Sequence, residues 1–195
     1  SESICRIQVT GATGGKHKDR MIMDQTVKTF QELEYVSSVY PTYEMYVTIT
    51  NGKYSYDGAI TGIPQSELAK LKYTKTSKQT TSSVKPVLIM GNKVTSLFYN
   101  PETEQTYDVT EKKKAETWIG KKVDLSFWDS QEMTPVKIEV GAVIDSGEDT
   151  YNRDSQSIYC DLDVLKSFLG RVSSGGTLPG QPLDANGNPY KDFVY

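Results

Sequence analysis

From Val84 to Leu169 the apolar residues arrive in short runs, and the order of those runs limits the fold more than any single motif. Residues 86–90 (Pro-Val-Leu-Ile-Met) predict a short strand that runs through Gly91 into a helix carrying Val94, Leu97 and Phe98. A strand then starts at Gly120, with Val123, Leu125 and Phe127 alternating with Lys122, Asp124 and Ser126. In the next, Val136, Ile138 and Val140 alternate with Lys137 and Glu139. Two neighbouring strands with one apolar face each predict a small sheet open to water on its other side. Ile158-Tyr-Cys-Asp-Leu ends the series. It opens a helix over 164–169 that Asp161 or Asp163 can cap and Gly170 can end.

The N-terminal part has the same grain. Ile4, Ile7 and Val9 mark a strand, followed by a glycine-rich turn at 11–15. Asp24 is placed to cap a helix with Val27, Phe30 and Leu33 on its inward face. Met45, Val47 and Ile49 alternate with Glu44, Tyr46 and Thr48. Asn51-Gly52 is a hairpin turn pair, and 54–63 returns alongside, which completes a β-α-β-β unit. Pro64 suits the first turn of a helix with Leu68 and Leu71 on one side. Residues 74–83 hold only Lys, Gln, Ser and Thr and read as a solvated linker. Residues 100–117 are a polar excursion, and 173–189, rich in Gly, Pro, Ser and Asn, predict a mobile loop.

With 195 residues there is enough chain for one domain or two small subdomains. The 22 basic and 25 acidic side chains leave a net charge of only −3, so neither a nucleic-acid footprint nor a polybasic membrane patch is indicated. Lys112–Lys114 reads as a solvated surface run. No apolar run approaches the roughly 20 residues of a membrane helix. The chain opens in one strand-like stretch and closes in another, Phe193-Val-Tyr, which predicts a piece cut from between membrane spans. Cys5 and Cys160 lack zinc-site spacing; both readings stay open, two buried thiols or one disulfide.

Several stretches imitate reactive sites without completing them. Val9-Thr-Gly-Ala-Thr-Gly-Gly resembles the cofactor turn of short-chain dehydrogenases. The next glycine of that pattern falls on His17, though, and no Tyr has Lys four residues later. A triphosphate cradle would need Gly at Thr10 and Ser or Thr at His17. Asp184-Ala-Asn-Gly-Asn-Pro starts like a calcium loop, but Pro189 takes the place of its turn glycine and Tyr195 that of its closing carboxylate. His17, the one histidine, sits in a basic glycine-rich loop with no obvious orienting acid. Glu148, Asp149 and Asp154 around Tyr151 read as a solvated loop, and the 13 tyrosines follow β propensity. No catalytic, cofactor-binding or metal-ligating residue is assigned.

The ordered pieces resemble the extracytoplasmic core domain of MacB-type, FtsX-like ABC transporter permeases. The similarity runs through the opening strand and Asp24 helix, Val36-Ser-Ser-Val-Tyr-Pro, Ala59-Ile-Thr-Gly-Ile and Val87-Leu-Ile-Met-Gly. It continues through Ile119-Gly-Lys-Lys-Val-Asp-Leu, Val140-Gly-Ala-Val-Ile and Ile158-Tyr-Cys-Asp-Leu-Asp-Val-Leu. The resemblance implies an α+β fold. A porter-like α/β subdomain at 1–72 plus 155–195 would carry an inserted small mixed-sheet subdomain at 73–154. Family members usually continue past the last strand with a further helix, so the porter half would be either truncated at Tyr195 or completed in an unexpected way.

The function implied is non-enzymatic and without cofactors: coupling cytoplasmic ATP hydrolysis mechanically to the export of a peptide, antibiotic or lipoprotein. Its setting would be the extracytoplasmic face of a bacterial cell membrane. The implied partners are a second permease (as homo- or heterodimer), a cytoplasmic ATPase subunit reached through membrane helices, and an adaptor protein or exported peptide. The linker at 74–83 and the loop at 173–189 would serve as hinges or contact loops. The alternative is a free-standing secreted or cell-surface binding module that uses its aromatic strands.

Overall fold

The computed structural model describes residues 7–11, 20–76, 86–107, 115–127, 135–144, 153–172 and 181–195. The chain divides into two compact units, one of residues 42–172 and one of 1–41 with 173–195. With helices and a mixed sheet, the fold class is α+β, as expected.

All seven described strands lie in the 42–172 unit: β1 (Tyr43–Asn51), β2 (Tyr54–Ile63), β3 (Tyr73–Thr76), β4 (Val87–Gly91), β5 (Lys122–Phe127), β6 (Val136–Ile144) and β7 (Ile158–Asp161). They stand in the order β3-β6-β4-β7-β2-β1-β5, and β5 then pairs back onto β6. Six strands therefore close into a ring, with β3 as a branch. The strand β6 makes the closure possible. Its first half pairs with β5, its second half with β4 on one edge and β3 on the other, and Glu139 is opposite both Lys122 and Val87. The β2–β7 and β4–β6 pairs are parallel and the rest antiparallel.

The pairing register follows one face all the way round. Ile60 is opposite Met45, Ile49 opposite Leu125, Val123 opposite Ile138, Val140 opposite Leu88, and Met90 opposite Ile158. Each of these side chains is buried. This is the period-2 pattern of the sequence made continuous by closure. A bulge at Gly141 shifts the β4–β6 register, so Ala142 pairs with Ile89 and turns to the opposite face. There Ala142 and Ile144 join Ile63, Leu68, Ile89 and Tyr159 in a second cluster, with Leu71 and Tyr73 packed against it. The helix α2 (Gln65–Leu68) contributes Leu68 to it, and Pro64 precedes that helix as its cap residue.

The ring is filled at both ends of β2. At the Gly62 end, α3 (Leu162–Val172) brings Leu165 against the strand, and Phe168 meets Phe127 with ring centroids 6.2 Å apart. Asp161 caps α3, since its Oδ1 accepts the Asp163 and Val164 N–H groups at 2.9 and 3.0 Å. At the Tyr54 end an aromatic group forms. Tyr56 stacks on Phe98 at 5.5 Å, Phe98 meets Trp118 edge-on at 4.7 Å, and Tyr107 touches both Trp118 and Tyr54.

Several expectations are corrected here. The segment after β4 is a single 3-10 turn (Val94–Leu97), with Val94 and Phe98 buried but Leu97 exposed. The linker loses its first residues to β3, which pairs with β6. The polar excursion ends in a 3-10 turn (Ala115–Trp118) that buries Ala115 and Trp118. β5 and β6 belong to the ring and not to a separate small sheet. Gly170 lies inside α3 and does not end it. The hairpin loop is Gly52-Lys53, with Gly52 at φ +61° as the first turn residue and Asn51 still in the strand.

In the unit of 1–41 with 173–195, Ile7 and Val9 are exposed and form no strand, while Ile4 lies outside the described residues. α1 (Asp24–Gln31) begins one residue after Met23, whose N–H donates to Thr26 Oγ1 at 3.2 Å. Asp24 is thus the first helical residue, not the cap. Val27 is buried, Phe30 half-buried, and Leu33 exposed beyond the helix end. The stretch 193–195 is not in a ladder, but Val194 N–H and C=O both bond the Gln181 side-chain amide, at 2.8 and 3.0 Å.

Candidate functional site

The ring is filled with apolar side chains, so groups able to act on a partner lie among its few polar side chains and on the exterior. Cys160 is a free thiol, fully buried in β7; burial, then the neighbouring Asp161 charge, pushes its pKa well up and suppresses the thiolate. The disulfide reading does not hold for it, and Cys5 lies outside the described residues. The Tyr73 hydroxyl donates to Leu68 C=O at 2.5 Å, and burial raises its pKa to about 12. Tyr56 is also raised, by burial first and Tyr46 second. The Tyr159 hydroxyl donates to Asp154 Oδ1 at 2.7 Å, and Thr48 Oγ1 to Asp57 Oδ1 at 2.6 Å. Thr95 Oγ1 and Trp118 Nε1 are buried with no hydrogen-bond partner among the described residues.

The calcium-like stretch is a turn. Asp184 Oδ1 accepts the Asn186 and Asn188 N–H groups, each at 2.9 Å, and Gly187 at φ +78° lets Leu183 and Pro189 pair. Among the described residues no group of three His, Cys, Asp or Glu is placed to hold a metal. His17, Gly14, Gly15, Lys112–Lys114, Glu148, Asp149 and Tyr151 lie outside the described residues, as do 77–83 of the linker and 173–180 of the C-terminal loop.

The exterior is more informative. The turn after α1 exposes Leu33 (50%), Tyr35 (95%) and Val36 (40%), with exposed Glu32 and Glu34 between and beside them. Val36 N–H donates to Leu33 C=O at 3.3 Å, so 33–36 is a β-turn with Tyr35 in its third position. Tyr35 has φ +67°, the conformation that glycine usually supplies there. Gln31 Nε2 reaches Val39 C=O at 3.2 Å and ties the base of the loop. Sequence reading missed this surface, because the 27, 30, 33 spacing placed Leu33 on the inward helix face. Residues 32–36, alternating Glu with Leu and Tyr, were the available signal.

No family model matches the chain, and no curated protein sequence does. Among solved structures, the chain is similar to the extracellular domain of the noncanonic ABC-type transporter YknZ from Gram-positive bacteria. The TM-score is 0.48 and the identity 15%, over 77% of this chain and 67% of that one. No helix among the described residues is long and apolar enough to cross a membrane.

Proposed function

We propose that this chain is a non-enzymatic extracytoplasmic domain of a MacB-type ABC transporter permease, which passes the motion driven by cytoplasmic ATP hydrolysis to an exported peptide, antibiotic or lipoprotein. The observation that carries the reading is the placement of the resembling pieces. Residues 36–41 lead into β1, 59–63 lie in β2, 87–91 are β4, 119–125 lead into and form β5, 140–144 end β6, and 158–165 make the β7–α3 junction. From residue 36 onward the order that suggested the family is thus the order of real elements, while Ile7 and Val9 of the opening piece form no strand.

The proposed division into 1–72 plus 155–195 and 73–154 corresponds to two groups of strands. β7-β2-β1 come from the first stretch and β4-β6-β5, with β3, from the second; their ladders meet at β1–β5 and β4–β7, and Ser55 also bridges Tyr99. In this proposal, force enters one group and leaves through the other across those two seams, as domains transmit motion at interfaces. A second permease, an ATPase subunit and an adaptor are the partners it requires.

The test is the parent gene product. Recovery in the membrane fraction, with an ATPase subunit co-purifying and its turnover altered by a disulfide locking the β1–β5 seam, is the expected result. A product found free in the medium, with no hydrophobic helix in its reading frame, supports instead the free-standing binding module.

A further inference from the structure

We propose that the turn at 32–36 is a docking surface for a protein partner that presents an apolar pocket edged with lysine or arginine. A bulky residue in the left-handed region is strained, and such strain persists at contact sites where another gain offsets it. The Tyr35 ring itself adds little packing to offset it, since Tyr35 is 95% exposed. An aromatic side chain flanked by Leu33 and Val36 is the kind of anchor that dominates protein interfaces.

The charges choose the partner. Glu32 and Glu34 are exposed on either side of Leu33, and neither forms an ion pair among the described residues. Two carboxylates steer a basic surface toward the turn and repel anionic lipid headgroups, which favours a protein over a membrane. The Gln31–Val39 bond holds the turn in place beforehand, so less order is lost on docking. The proposal stands on the turn alone and does not require the transporter reading.

The test uses the 195-residue chain, isotope-labelled, titrated with a synthetic amphipathic helix of Lys and Leu, with its Glu and Leu counterpart, and with phosphatidylglycerol and phosphatidylcholine vesicles. The Lys/Leu helix is expected to shift the resonances of 32–36, more weakly at high salt. Tyr35→Ala and the pair Glu32→Lys with Glu34→Lys should each weaken it about tenfold or more. Tyr35→Gly removes the ring and relieves the backbone. It should keep or raise the thermal midpoint while losing binding, which separates the anchor from the fold. Absent shifts at 32–36, wild-type affinity in these variants, equal binding of the Glu/Leu helix, vesicle binding, or self-association through the turn would each overturn the proposal.

Discussion

The Tyr195 hydroxyl donates to Asp24 Oδ1 at 2.6 Å, joining positions 171 apart in the sequence, while the Tyr195 N–H donates to Ile22 C=O at 2.8 Å. One residue thus fastens the C-terminal stretch to the start of α1 with both its backbone and its side chain. The side-chain bond is solvent-exposed, so its net worth is small, about 0.5–1 kcal/mol. Tyr195→Phe should barely move the melting temperature but speed hydrogen exchange of the Tyr195 amide several-fold. Asp24→Asn should cost more, because it also removes a carboxylate from the positive end of α1. Unchanged exchange in Tyr195→Phe would mean that the backbone bond alone fastens this end.

Asp161 accepts two N–H groups at the start of α3, and α3 seals one end of the ring. Asp161→Ala should lower stability by about 1 kcal/mol, and Asp161→Asn by much less, since an amide oxygen caps nearly as well. Urea denaturation of the three proteins decides it; equal losses would show that the charge, not the cap, matters.

Gly91 ends β4 against the 3-10 turn Arg153–Gln156. Its N–H donates to Ser157 C=O at 2.8 Å, and an added Cβ would strike the Asp154 and Ser155 carbonyls. Backbone cannot yield as a flexible side chain can. Gly91→Ala should therefore destabilise by about 1–3 kcal/mol, an overpacking cost without any loss of hydrophobic area. A melting temperature within a degree of wild type would contradict this contact.

Burial holds the Tyr73 pKa at about 12, above the ordinary 10 of an unfolded tyrosine. The folded state therefore favours the neutral phenol. Its contribution is complete below about pH 10 and is lost as pH rises from there toward 12, where the unfolded chain binds fewer protons than the folded one. Between those values wild type should lose stability faster than Tyr73→Phe, whose urea midpoint lacks this slope. Parallel curves would show that Tyr73 ionises as freely in the fold as outside it.

The strands were legible because each exposes one face to an apolar core. Met45, Val47 and Ile49, like Val123, Leu125 and Phe127, alternate cleanly and are buried as the alternation requires. What the alternation does not encode is which strand lies beside which. The β5–β6 neighbours were foreseen, but the return of β5 to β1 and of β4 to β7 joins residues distant in sequence, and no local signal specifies them. The bulge at Gly141 was equally hidden, because every residue of 140–144 is buried and the period simply disappears.

Helix ends misled for another reason. α1 stops at Gln31 with no glycine or proline to announce it, so Leu33 was assigned inward by spacing alone. The same early stop creates the exposed turn, and its functional candidate was invisible until the φ of Tyr35 was known. The mimic at Asp184 went the other way: the residues that break the calcium pattern could be named from the sequence, and the Asp184 bonds show what the loop does instead.

Closure of the six strands gives each of them a neighbour on both sides. Where both edges are paired, as at Val47–Thr50 of β1, a foreign peptide finds no backbone to zip onto, while β3, paired with β6 alone, keeps one edge open among the described residues. The same circular arrangement guards the paired stretches of the ring against stacking with copies of itself into fibrils.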